Sequence, residues 1–218
     1  KIQSVTIHLQ VCLTLEDDME EIICFDYKLY REQCDESIYK DPNLISAINT
    51  LLETTYANST TPSERIGKAV STVGSDFNIL HLPEIRNLAE WIVSQIMTID
   101  EFRSKNSNTF DFTRHWANRI YKDCNGLCHT HPKQADAVAI FYLDVPEGGS
   151  DLVIINNGKE DSNYLEYGEK DRHDINVESG TLIIHKPDVP HAVSIHNSTD
   201  PRTCLIFEFK IAEEIYEN

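Results

Sequence analysis

The stretch CNGLCHTHPKQADAVAIFYL, residues 124–143, crowds two cysteines and two histidines into its first eight positions and then runs into an apolar segment that reads as a strand. His129 and His131 are two apart, so on a strand they project to the same face. Two imidazoles aimed into one space suit a core poorly unless something engages their nitrogens, and a divalent metal does so. Taken alone, the pair also fits a solvated strand end. A closed zinc site built from Cys124, Cys128, His129 and His131 is disfavoured. Zinc knuckles place paired ligands two residues apart across a tight turn, whereas Cys128 and His129 are adjacent and face opposite sides of a strand. The two cysteines read instead as small core residues or reduced surface thiols.

Downstream, SGTLIIHKPDVPHAVSIHN (179–197) holds a turn glycine, an apolar strand, a Pro-rich break, and His191 opening another strand. Val193 and Ile195 share the face of His191, which turns that histidine toward an apolar interior. His185 and His196 read as surface or core histidines rather than ligands, His196 lying on the opposite face from His191. Asp200-Pro201 breaks the chain before RTCLIFEFK, so 191–196 and 202–209 read as antiparallel neighbours. Arg202 then stands at the mouth of the apolar interior, where a guanidinium suits a carboxylate-bearing ligand.

The rest of the chain sets the frame. Its 218 residues suffice for one large domain, and 40% hydrophobic with 25% charged residues is ordinary for a globular protein. The formal charge of −17 argues against a nucleic-acid backbone or an anionic membrane as partner, since both need clustered Lys and Arg. No apolar run approaches the ~18 residues of a membrane span. The N-terminus lacks the apolar core of a secretory signal, and the six cysteines are scattered, so they read as reduced thiols in a cytoplasmic protein.

Up to residue 108 the texture is mixed. SVTIHLQVCL alternates as a strand does, and EEIICFDYKLY contains a second β-rich run. DPNLISAINTLLETTY opens a helix at Asp-Pro with Leu44, Ile45, Ile48, Leu51 and Leu52 along one face. TPSERIGKAV offers a Thr cap with Pro behind it, and LPEIRNLAEWIVSQIMTIDEF is amphipathic through Ile85, Leu88, Ile92 and Ile96. After 108, short strands are expected at 110–121, 128–131, 137–144, 151–155, 175–177, 181–185, 191–196 and 202–210, with turns at Glu-Gly-Gly 147–149, Asn-Asn-Gly 156–158 and Ser-Thr-Asp-Pro 198–201. The expected fold is α+β, mainly β: a jelly roll over 109–218, with residues 1–108 as an α/β portion packed on it in one compact domain.

On these residues, the stretch from about 110 to 209 resembles the Fe(II)/2-oxoglutarate-dependent oxygenases, in particular the prolyl-4-hydroxylase-like group with its small bacterial and phage members. Such proteins carry His-x-Asp (sometimes His-x-His), a Tyr-Leu strand with a glycine turn, a G-x-L-I-x-F-P strand, a distal His, and then an Arg or Lys. Here the counterparts are HTH at 129–131, FYLDVPEGGSDLVI at 141–154, GTLIIHKP at 180–187, His191 and Arg202. RHWANRIYK (114–122) looks like the strand that precedes the metal motif. The resemblance implies a double-stranded β-helix with supporting N-terminal helices. It implies Fe(II) on His129, His131 and His191, and 2-oxoglutarate on Arg202 with contacts from Tyr142 and Asn118. It also implies O2 as co-substrate and hydroxylation of a peptidyl or small-molecule C–H with release of succinate and CO2. Tyr142 and Asn118 fit a core tyrosine and a strand-end amide equally well.

One departure stands out, because position 131 carries a histidine where the family usually has its ligand carboxylate. Asp136 is an alternative third ligand and water another, with His131 preferred for sharing the face of His129. Two other readings stay open: a cupin-type metalloenzyme that uses no 2-oxoglutarate, and a jelly-roll binding module without catalysis.

Overall fold

The computed structural model describes residues 5–7, 19–58, 69–73, 79–102, 110–131 and 134–211. In chain order the strands are β1 (Val5–Ile7), β2 (Glu20–Cys24), β3 (Tyr27–Gln33), β4 (Val70–Ser71), β5 (Phe110–Ile120), β6 (Gly126–His129), β7 (Ala137–Asp144), β8 (Leu152–Ile155), β9 (Arg172–Ile175), β10 (Thr181–His185), β11 (His191–Val193) and β12 (Arg202–Ile211). The helices are α1 (Glu36–Tyr39), α2 (Pro42–Asn58) and α3 (Arg86–Thr98). The Thr cap expected near 61–62 lies outside the described residues.

Among the described residues the strands form two antiparallel sheets. The larger runs β1-β5-β12-β7-β10-β3-β2 with β4 beside β5, and the smaller runs β6-β11-β8-β9. From β5 to β12 the chain passes back and forth between two facing sheets, with only β8 and β9 consecutive in one of them, which makes a jelly roll, the double-stranded β-helix. The first hundred residues are continuous with it, since β2 and β3 extend the large sheet from β10.

Period-2 alternation assigns the faces of the large sheet. Along β7, Ala137, Ala139, Phe141 and Leu143 join the core under the helices, while Val138, Ile140 and Tyr142 join the core between the sheets. Being covered on both faces, β7 reads as an unbroken apolar run. β12 divides likewise, with Leu205, Phe207 and Phe209 toward the helices and Cys204 and Ile206 toward the interior. In β10, Leu182 and Ile184 face the helices and Ile183 the interior. Arg202, Glu208 and His185 therefore point inward by the same parity. Strand β5 breaks the rule once: Glu208 pairs Arg114 but Phe209 pairs Phe112, leaving Thr113 as an extra residue. That bulge lets Phe110 and Phe112 face the helices while Trp116, an even number further on, faces the interior.

The expected stripe is buried, with Ile85 just before α3 and Leu88, Ile92 and Ile96 within it. α2 opens as expected at Asp41-Pro42, where the Asp41 carboxylate accepts from the Asn43 N–H. Of its expected face Leu44, Ile48, Leu51 and Leu52 are buried, but Ile45 is exposed, because the stripe follows i, i+4, i+7, i+8 from Leu44 and leaves i+1 outside. A second correction concerns the strand pair after His191. β11 pairs β6 and β8, and β12 pairs β5 and β7, so the two are in opposite sheets. Both edges of each strand are already taken, and residues 194–201 cross from one sheet to the other. Among the described residues no helix is long and apolar enough to cross a membrane.

Candidate metal centre

β6 and β11 are neighbours in register, with His129 opposite His191. β6 ends at His129, and the backbone N–H of His131 donates to the Pro187 carbonyl at 2.8 Å, which holds His131 beside the strand end. The three imidazoles converge: one ligand atom from each of His129, His131 and His191 lies within 4.8 Å of the others. His131 and His191 are stacked at 5.1 Å between ring centres, with their Nε2 atoms 3.4 Å apart.

The Nδ1 partners fix the tautomers. Nδ1 of His129 faces the Leu127 carbonyl at 2.9 Å, that of His191 faces the Val189 carbonyl at 2.9 Å, and that of His131 faces the Glu208 carboxylate at 2.8 Å. Each partner only accepts, so each Nδ1 carries the proton and each Nε2 presents a lone pair. Burial first, and then the neighbouring His129, His185 and His131, hold His191 well below the usual imidazole range, which keeps it neutral. Two lone pairs facing each other at 3.4 Å repel unless a cation sits between them. Two nitrogens bound at right angles to one first-row ion are about 3 Å apart, given metal–nitrogen bonds of roughly 2.0–2.1 Å. The donor set thus fits a metal of the type that binds imidazole.

Glu208 is the residue that reading the sequence missed. It is 1% exposed, accepts from His131, and lies 3.4 Å from the Arg114 guanidinium, which itself stacks over Trp116. The signal was present in TCLIFEF: one acid in an apolar strand, where a charge is kept only with a partner. His185 stands next to the triad, its ring 4.9 Å from that of His191 and 6.0 Å from that of His131. Its Nδ1–H donates to the Lys186 carbonyl at 2.7 Å, and its buried Nε2 has no partner among the described residues.

Arg202 is 2% exposed. Among the described residues, one guanidinium nitrogen donates to the carbonyl and hydroxyl of Ser150 at 3.0 and 2.8 Å, the other reaches only the Cys204 sulfur at 3.9 Å, and Nε has no partner. Among the described residues no carboxylate is within ion-pair distance of it; Asp151 is felt only through space. Beneath it lies Tyr142, its ring centre 4.8 Å from the guanidinium carbon and its buried hydroxyl unpartnered. Arg202, His129, His131 and Asn118 line one cavity of about 140 Å³. A single water needs roughly 10–15 Å³ by the same measure, so the space takes a small organic ligand. With its amide oriented to satisfy both atoms, Asn118 donates to Ser71 and accepts from the Trp116 indole.

The remaining expectations resolve by position. Asp136 is engaged elsewhere: its carboxylate pairs with Lys210 at 2.7 Å and accepts the Ile211 N–H at 2.9 Å, sealing the end of β12, which removes it as a third ligand. Cys128 packs behind β6 with Val153, Ile155 and Tyr164, and Cys124 with Ala69 and Ile120, so neither joins the histidines. His196 is structural. It accepts from the Ser150 N–H and donates to the Asp200 carbonyl, which holds the serine that grips Arg202.

Several solved structures share this fold. A prolyl-4-hydroxylase from Pseudomonas putida superposes with a TM-score of 0.54 at 12% identity, covering 86% of this chain and 95% of that one. HygX from Streptomyces hygroscopicus, solved with nickel and 2-oxoglutarate bound, gives a TM-score of 0.57 at 11% identity over 83% of this chain and 82% of that one. A prolyl hydroxylase from Trichoplax adhaerens, in complex with a hypoxia inducible factor oxygen degradation domain peptide fragment, gives 0.55 at 13% over 83% and 82%. No family model and no curated protein matches the sequence. The chain therefore has the fold of the 2-oxoglutarate/Fe(II) oxygenases.

Proposed function

We propose that the protein is an Fe(II)- and 2-oxoglutarate-dependent dioxygenase that hydroxylates a peptidyl or small-molecule C–H bond. The observation that carries this reading is Arg202: a buried guanidinium without a carboxylate partner, in the same cavity as two of three histidines that present lone pairs to one point. A buried cation with unused donors calls for an anion, and a metal beside it calls for an anion that also chelates. 2-Oxoglutarate meets both demands, with a carboxylate at each end and a keto oxygen next to one of them. HygX binds a metal and the same oxo-acid in this fold.

His129, His131 and His191 would hold the ion and leave the rest of its coordination sphere open to ligands. The group so formed supplies the oxidising chemistry: O2 is reduced as 2-oxoglutarate becomes succinate and CO2 and one C–H becomes C–OH. The chain supplies the rest. Arg202, steadied by Ser150 and Tyr142, takes the far carboxylate of the oxo-acid. Val138, Ile140, Ile206 and Leu152 keep the space between the sheets apolar and exclude water from the reacting centre. Trp116, Thr130 and Asp161 line the same cavity, where the substrate would lie.

The test is an anaerobic Fe(II) titration with and without 2-oxoglutarate, read by the visible charge-transfer band that chelation of the oxo-acid produces. Arg202→Ala should retain the metal while its 2-oxoglutarate requirement rises steeply, since losing a charge-assisted contact in a buried pocket costs about 2–5 kcal/mol. A three-histidine donor set also suits a cupin-type metalloenzyme without 2-oxoglutarate, and an unchanged titration in Arg202→Ala would favour that reading. His191→Ala should abolish stoichiometric Fe(II) binding in a folded protein, because β11 contributes no other ligand; iron content near that of the parent would remove the triad assignment.

A further inference from the structure

We infer that Glu208 supplies, through His131, the negative charge that a ligand carboxylate gives the usual two-histidine, one-carboxylate iron site. The inference rests on the metal centre proposed above and deepens it. A neutral imidazole at position 131 leaves the three protein donors without charge, so a bound divalent ion would keep its full +2 inside an apolar space. Glu208 restores the balance one imidazole further out. It is buried on the inward face of β12, and its Oε1 is 2.8 Å from His131 Nδ1, a length typical of charge-assisted bonds.

The competing explanation is a structural ion pair with Arg114. That contact is longer, 3.4 Å, and the arginine side chain is 40% exposed, so it compensates a buried carboxylate poorly. The His131 contact is shorter and wholly enclosed. It also fixes the tautomer that turns His131 Nε2 toward His191 Nε2. A carboxylate placed behind a ligating histidine raises the basicity of that ligand and locks its ring. In this role Glu208 is a positioning and charge-compensating residue that need not touch substrate.

The pair also dictates what happens when position 131 is made to match the family. In His131→Asp, two carboxylates face each other in a buried space, and Glu208 loses its donor. Restoring the common ligand type thus requires removing the charge at 208 at the same time.

The experiment measures Co(II) affinity and the Co(II) d–d absorption spectrum on the full chain without 2-oxoglutarate, with the apo fold checked by circular dichroism. Glu208→Gln keeps an acceptor for His131 Nδ1–H and removes only the charge; it should bind Co(II) roughly 10–100-fold more weakly with a shifted d–d band. Glu208→Asp should recover part of the loss. His131→Asp should bind weakly, and the double variant His131→Asp/Glu208→Gln more tightly than either single variant. Parent-like affinity in Glu208→Gln would overturn the inference. So would Glu208→Gln costing the same factor in the His131→Asp background as in the parent. If Glu208→Gln does not fold, the double variant still decides, because it must bind better than His131→Asp alone. A parent protein that binds no Co(II) would overturn the metal centre itself, a result distinct from each of these.

Discussion

At the scale of single residues, His185 is the least comfortable group in the interior. Its Nε2 is buried without a partner, and burial, followed by the neighbouring His131, lowers its pKa to about 3. The family-like strand GTLIIHKP would carry phenylalanine in that place, and the core there accepts an apolar ring. His185→Phe should therefore leave the apo protein equally stable or stabilise it by up to ~1 kcal/mol, since an unsatisfied buried polar atom costs about 1–3 kcal/mol and the Lys186 carbonyl released by the change can turn to water. Urea unfolding of the metal-free protein measures this. A loss above about 2 kcal/mol would mean that Nε2 has a partner, such as an enclosed water shared with the metal centre. The convergence of His129, His131 and His191 was legible in part: the two-residue spacing suggested a shared face, but the strand stops at His129 and the bond to the Pro187 carbonyl brings His131 in. Glu208 was not, because its meaning arises across the sheets, where β12 faces the end of β6.

At the scale of elements, alternation locates strands and faces but does not choose their partners. The expected segments 137–144 and 181–185 match β7 and β10 residue for residue, whereas 191–196 ends as a strand at Val193 and 175–177 is instead 172–175. The pairing of 191–196 with 202–209 failed for a physical reason: a short polar break looks the same whether the chain turns back or crosses to the facing sheet. The bulge at Thr113 was also unreadable, since Phe110, Phe112 and Trp116 all sit at even positions and nothing between them marks a change of face. Between β6 and β11 the register shifts as well, and there Gly126 lies against Val193. A Cβ built at Gly126 would stand 3.0 Å from both the Cβ and Cγ2 of Val193. Gly126→Val should wedge β6 from β11, separate His129 from His191, and weaken Co(II) binding by roughly tenfold or more. Gly126→Val/Val193→Gly returns the volume to the other strand and should recover most of the affinity. Failure of the double variant to recover would show that Gly126 is needed for something other than the close approach of the two strands.

At the scale of the whole molecule, a chain of net charge −17 encloses several histidines that must stay neutral. Burial lowers His185 to about 3 and His115 to about 4, and holds His191 well below its ordinary value. In the unfolded chain each titrates near ~6.5, so the unfolded state binds more protons throughout that interval. The stability these groups contribute is complete above pH ~6.5 and is lost as pH falls toward their folded values. For His185 alone the loss between pH 7.5 and 5.5 is about 1–2 kcal/mol, with the other histidines adding in the same direction. Asp151, raised by burial, acts with the opposite sign. Urea unfolding of the apo protein at pH 7.5, 6.5 and 5.5 should therefore show a falling midpoint at constant slope. Co(II) on the Nε2 lone pairs competes with protons for the same sites, so it should raise the midpoint more at pH 7.5 than at 5.5. A midpoint that stays flat over this range would mean that the histidines take up protons without unfolding the protein, and hence that the space between the sheets is wet rather than the dry chamber the proposed oxidation needs.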